Sequence, residues 1–152
     1  MNTSTLLTVK PPRIAFALVA IAAVAAWLLP AQPKLFNAPL IVAMVLAAAG
    51  FLVMMAGWWQ FRDREVLICP TEPTRVLITD GVYRFTRNPM YLGMLLMLVG
   101  LATWAGDLSF YIAAALFFLV MDRVFCPYEE EKLHRSFGTA YLDYRLRVRR
   151  WL

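Results

Sequence analysis

Two stretches of the chain gather most of the side chains able to do chemistry. The first, Asp80-Gly81-Val82-Tyr83-Arg84-Phe85-Thr86-Arg87-Asn88-Pro89-Met90-Tyr91-Leu92-Gly93, leads into an apolar run. Proline at a first helical position loses no useful N–H, so Pro89 marks a helix start and Asn88 its N-cap. A helix start offers free backbone N–H groups and partial positive charge. With Arg87 just before it, this start suits a carboxylate or another anionic group. An interfacial helix start with an arginine reaching toward water explains the same spacing without chemistry.

The second stretch begins Pro127-Tyr128-Glu129-Glu130-Glu131-Lys132-Leu133 and continues to Phe137-Gly138, Tyr141 and Tyr144. Positions 130, 133, 137, 141, 144 and 148 step by three or four, so Glu130 heads an apolar stripe. A helix lying on a membrane surface accounts for the stripe, and first-turn acids suit the helix dipole. Neither explains a carboxylate heading an apolar face. Pro127 is expected to kink or restart the helix. Asp122 and Arg123 are ionisable groups at the end of an apolar run, where they pair or face a cavity. His134 is read as solvated. Cys69 and Cys126 fit no metal-ligand spacing, and no metal site is expected.

The elements that must position these residues are apolar helices. Of 152 residues, 61% are hydrophobic and 16% charged, against about 45–50% hydrophobic in soluble domains. A soluble domain of this length cannot bury so much apolar surface. Runs of roughly 20 apolar residues read as membrane spans. They fall at about 14–29, 35–59, 90–104 and 108–125, joined by a loop over 60–89 and followed by a polar-faced tail over 127–152. The chain thus reads as a single all-α, integral membrane domain of about four transmembrane helices, with a C-terminal amphipathic helix. Only Gly106-Asp107 separates the last two spans, which form a hairpin. Gly93 and Gly100, seven apart, share a helix face suited to close packing. Arg75-Val76-Leu77-Ile78-Thr79 is a short β-prone run inside the loop.

Charge gives the orientation. Fourteen Lys and Arg residues flank one side of these spans and only Lys34 the other, which places both termini and the 60–89 loop in the cytoplasm. The expected location is a bacterial inner membrane. The first span has basic residues before it but no convincing cleavage site, so it is read as retained. The net charge of +5 flanks apolar runs instead of forming a basic groove, so nucleic acid is not a partner. The partners expected are the bilayer and a lipophilic or prenylated substrate.

Gly81 to Gly93 reads G-x-Y-R-x-x-R-N-P-M-Y-x-G, and Glu129 to Tyr144 reads E-E-x-x-L-x-x-x-F-G-x-x-Y-x-x-Y. In both, and in their order, the chain resembles the membrane-embedded methyltransferases that include isoprenylcysteine carboxyl methyltransferase and phospholipid N-methyltransferases. The resemblance covers roughly residues 70–151. It implies S-adenosylmethionine as cofactor and S-adenosylhomocysteine as product, with the cofactor held by Arg87, Asn88, Pro89, Tyr91, Gly93, Glu129 and Glu130. On that reading Tyr83 and Tyr91 face the sulfonium by cation–π attraction, and Arg87 and Glu130 act chemically. Isoprenylcysteine methyltransferases usually carry His where this chain has Asn88, so the acceptor is left open between carboxylate and amine. Two other classes share parts of the pattern: a non-catalytic scaffold or lipid-binding protein, and a sterol-reductase-like enzyme using a nicotinamide cofactor.

Overall fold

The structure is a computed structural model that describes residues 10–29, 38–64 and 76–152. Its helices are α1 (Pro11–Leu28), α2 (Leu40–Asp63), α3 (Pro89–Ala105), α4 (Leu108–Val120), α5 (Cys126–Phe137) and α6 (Thr139–Arg147). A 3-10 turn covers Gly81–Arg84, and a π-helical segment, Met121–Phe125, joins α4 to α5 without a break. The all-helical expectation holds, and no strand occurs among the described residues. Val76–Thr79 of the β-prone run are not extended into a ladder. Lys34 and residues 65–75 of the 60–89 loop, Cys69 and Arg75 among them, lie outside the described residues.

Among the described residues, three helices are long and apolar enough to cross a membrane: α1, α2 and the continuous helix Leu108–Phe137. The third span of the sequence reading is shorter. α3 has 17 residues, which at about 1.5 Å each falls a few ångströms short of a hydrocarbon layer of roughly 30 Å. The expected four spans are therefore three of full length and one short apolar helix. α2 also runs past the expected end at Trp59 to Asp63, bringing Gln60 and Arg64 to the site end of the bundle.

Small residues hold α2 against α3. The buried residues of α2 are Ala43, Gly50 and Gly57, spaced by two helical turns. Gly93 and Gly100 face them: a Cβ on Gly93 would lie 2.5 Å from the Gly50 carbonyl oxygen, and one on Gly100 2.9 Å from that of Ala43. Gly57 meets Pro89 and Met90, so the two helices run antiparallel. Close backbone approach of this kind replaces the hydrophobic drive that lipid cannot supply. On the other side of the hairpin, the Ser109 hydroxyl donates to the Ala22 carbonyl (3.0 Å). Ile14, Ala15, Leu18 and Val19 pack on the core of Tyr91, Leu98, Phe117, Met121 and Phe125. α1 is therefore antiparallel to α4, with its basic N-terminal end on the same side as α5.

The tail is not one helix. Gly138, at φ +54° and ψ −125°, breaks it into α5 and α6 in a conformation only glycine adopts easily. The predicted stripe faces inward: Glu130, Tyr141, Tyr144 and Val148 are buried, with Leu133 and Phe137 half-buried against Leu77.

The seam predicts its own sensitivity. In Gly50→Val the new side chain meets the Gly93 carbonyl oxygen at 2.6 Å and the Met97 amide nitrogen at 2.8 Å. Because these are backbone atoms, the loss should reach or exceed the about 1–3 kcal/mol usual for overpacking. Thermal unfolding in detergent should show a large drop for Gly50→Val. Gly57→Ala, whose Cβ meets only side-chain carbons at 3.1 and 3.2 Å, should drop far less.

Candidate active site

The site assembles where three pieces meet: the turn from Asp80 to Asn88, the helix from Asp122 to Glu130, and the chain's last residues. The turn is fixed from α2. Gln60 Oε1 accepts from the Val82 amide (3.1 Å) and Gln60 Nε2 donates to the Asp80 carbonyl (3.2 Å). Gly81 sits between them at φ +55°, and a Cβ there would collide with the Gln60 amide. Arg64 pairs with Asp80 and holds its carboxyl below the usual range.

Tyr83 is buried in this turn against Ile78, with Phe61 edge-on at 5.6 Å. Its carbonyl accepts from the Tyr144 hydroxyl (2.7 Å), which ties α6 to the turn. Burial, and then the charge of nearby Glu129, push the Tyr83 phenol up. Burial likewise raises the phenols of Tyr141 and Tyr144. All three therefore act as neutral hydroxyls.

The two predicted stretches meet at their charges. Arg87 Nη1 lies 3.1 Å from Glu130 Oε1 and donates to the Tyr141 hydroxyl (3.0 Å). Arg87 Nε is buried with no hydrogen-bond partner. One helical position earlier, Glu129 accepts from the Tyr91 hydroxyl (2.5 Å).

One placement differs from expectation. Asn88 occupies the N-cap position of α3 but its side chain does not cap the helix. Its Nδ2 donates instead to the Arg150 carbonyl (3.2 Å), and the Thr86 hydroxyl donates to that same oxygen (3.0 Å). The Arg87 amide donates to the Arg149 carbonyl (3.0 Å). Tail carbonyls thus occupy the donors around the helix start. Gly93 lies in the α2–α3 seam, where the space beside it is filled by Gly50 and Met54. Pro89 is fully buried at the first helical position, against Gly57.

Pro127 does not restart the helix. Between Met121 and Phe125 the ladder widens to i→i+5 bonds, and the Cys126 amide donates to the Met121 carbonyl. The next bond of that pattern would run from residue 127 to the Asp122 carbonyl, but proline has no N–H. Arg150 Nη1 supplies the missing donor (3.2 Å) and also meets Asp122 Oδ1 (3.0 Å). Trp151 Nε1 donates to the same carboxylate oxygen (2.9 Å), and its ring lies 5.0 Å from that of Phe118. Asp122 was singled out in the sequence; Arg150, Trp151, Thr86 and Gln60 were not. A lone acid in an apolar run signals that a cation must exist, but not which one. Among the described residues, no cluster of metal-ligating groups occurs.

The phospholipid methyltransferase family matches residues 38–140. Among curated proteins, a stretch of 75 residues is 40% identical to protein-S-isoprenylcysteine O-methyltransferase B of Arabidopsis thaliana, covering 47% of this chain and 36% of that one. The corresponding Schizosaccharomyces pombe enzyme is 33% identical over 76 residues, 48% of this chain and 31% of its own. An uncharacterised Haemophilus influenzae protein is 36% identical over 63 residues, 41% of this chain and all of its own length. The match thus spans about a third of the length of the plant and yeast relatives. No solved structure matches.

Removing Glu130 should expose how costly the unpaired cations are. Glu130→Ala leaves two largely buried guanidinium groups with one fewer anion, and breaking a buried pair costs about 3–5 kcal/mol. A thermal midpoint unchanged from that of the unaltered protein would contradict this account of the site.

Proposed function

The chain belongs to the phospholipid methyltransferase family, and on that footing we propose that it transfers a methyl group from S-adenosylmethionine to a lipid-like acceptor at the cytoplasmic membrane interface. The observation that carries this reading is the junction of the two motif stretches: Arg87 on Glu130 and Tyr91 on Glu129. The donor set fits such a cofactor. A buried guanidinium N–H without a partner, Arg87 Nε, calls for an acceptor such as an amino-acid carboxylate. On this reading Glu129, Asn88, Pro89, Tyr83 and Tyr91 belong to the same cofactor site, and Gly93 contributes through packing.

When bound, S-adenosylmethionine supplies an electrophilic methyl carbon whose sulfur leaves as a neutral thioether. The acceptor's lone pair forms the new bond to that carbon, and the electrons of the broken carbon–sulfur bond stay on sulfur. No side chain has to protonate a leaving group. The protein's task is to orient both partners and exclude water, which is worth up to about 7–11 kcal/mol in favourable systems. Glu129, hydrogen-bonded through Tyr91, is placed to accept from a hydroxyl or ammonium group; Arg87 is placed to hold a carboxylate. An amine acceptor must first lose a proton, and a glutamate is the base at hand.

A lipid acceptor is supported from two directions. The family's description names phospholipids, and the plant and yeast relatives are named for isoprenylcysteine. The cytoplasmic side is supported by the charge asymmetry and by the antiparallel α1, whose basic start lies at the site end.

Isothermal titration of detergent-purified protein with S-adenosylhomocysteine tests the reading. Micromolar binding is expected, lost in the Glu129→Gln/Glu130→Gln double variant. No binding by a folded sample, also in lipid nanodiscs, would sink the methyltransferase reading in favour of a scaffold. Binding of a nicotinamide cofactor instead would favour a reductase.

A further inference from the structure

Arg150 lies ten residues beyond the end of the family match at residue 140 and outside both motif stretches, yet it is the most connected side chain at the site. Its Nε and Nη2 form a fork onto Glu130 Oε1 (2.8 Å) and Oε2 (2.9 Å). Its Nη1 reaches the Asp122 carbonyl and carboxylate. Its own carbonyl accepts from Thr86 and Asn88. These hydrogen bonds to two carboxylates hold the Arg150 guanidinium firmly charged.

The consequence falls on Arg87. A fork from one guanidinium takes a position on each carboxylate oxygen, so a second guanidinium can meet the remaining lone pairs one at a time but cannot form the same two-oxygen fork. Arg87 accordingly stands beside Glu130 at 3.1 Å through Nη1, which donates to the Tyr141 hydroxyl, and its Nε has no partner. Without Arg150, Arg87 would turn its own fork onto Glu130 and satisfy that nitrogen internally.

We infer that Arg150 is a positioning residue: by occupying both oxygens of Glu130 it keeps Arg87 available for the anionic group of the bound cofactor. The last residues of the chain are on this account part of the site's wall. The inference rests on the proposed methyltransferase reading. It differs from a purely structural role for the tail, in which Arg150 and Trp151 would matter alike as anchors.

The test is titration with S-adenosylhomocysteine of unaltered protein, Arg150→Gln, Arg150→Lys and Trp151→Ala, each with a thermal unfolding curve. Arg150→Gln should lose at least tenfold in affinity. Arg150→Lys, which keeps the charge without the fork, should fall between. Trp151→Ala, which removes one of the two donors on Asp122 Oδ1 but leaves the fork, should stay within about threefold of the unaltered protein. Should Arg150→Gln unfold, Arg150→Lys serves in its place: it keeps the charge without the fork and should lose more affinity than Trp151→Ala. Unaltered affinity in folded Arg150→Gln, or an equal loss in Trp151→Ala, would overturn the inference alone. No binding by the unaltered protein would remove the proposed function and this inference with it.

Discussion

Glu130 is 8% exposed in a chain that is mostly apolar helix, and a carboxylate there is tolerable only with cations held against it. An isolated buried charge costs several kcal/mol even after relaxation. The structure answers with Arg87 on one side and Arg150 on the other, and with Asp122 to balance the second arginine. Two cations and two anions thus interlock, with the exposed Arg123 also on Asp122. Meeting that condition forces three distant parts of the chain together: the loop before α3, the turn of helix after α4, and the tail. Much of the architecture at this end can be understood as the means of bringing those charges within 3 Å or so of each other.

The rigidity needed for this comes from elsewhere. The α2–α3 seam places backbone against backbone, so α3 cannot shift along α2 without displacing Gly50 from Gly93. Pro89 and Gly57 continue the seam to the helix start, which sets where Arg87 and Tyr91 stand. α2 then extends one turn further than its apolar run requires, and its Gln60 clamps the backbone on both sides of Gly81. Packing in the apolar layer and geometry at the polar end are therefore one mechanical unit. A change deep in the seam should be felt at the site.

Helix identities, the hairpin at Gly106, the small-residue face of α3 and both chemistry-bearing stretches could be read from residue type and period. Those features are local: a period of three or four, a proline at a helix start, a run of apolar residues. What could not be read is partnership. Arg150 sits among Arg145, Arg147 and Arg149, and nothing in its neighbours distinguishes the one that turns inward. Asn88 satisfied every local rule for a cap, yet the tail's carbonyl competed for its amide and won. Pro127 carried a valid local signal for a break, but the π-helical segment absorbed it and Arg150 replaced the missing donor. In each case a tertiary hydrogen bond overrode a local preference worth about 1 kcal/mol or, for proline, about 3.

The limits of the family match have the same origin. α1 lies outside it and buries only Ala22, so most of its positions need only be apolar, and many sequences meet that condition. Residues 141–152 also lie outside it, though they close the site. Three of the tail's contacts use the carbonyls of Arg149 and Arg150, and a carbonyl places no demand on residue type. Side-chain identity is demanded at Arg150 itself, where a fork must match a carboxylate, and at Trp151, where an indole N–H reaches Asp122. A region can thus be indispensable to the geometry while most of its positions are free to drift. In the two motif stretches it is the side chains that make the joining contacts, Arg87 with Glu130 and Tyr91 with Glu129.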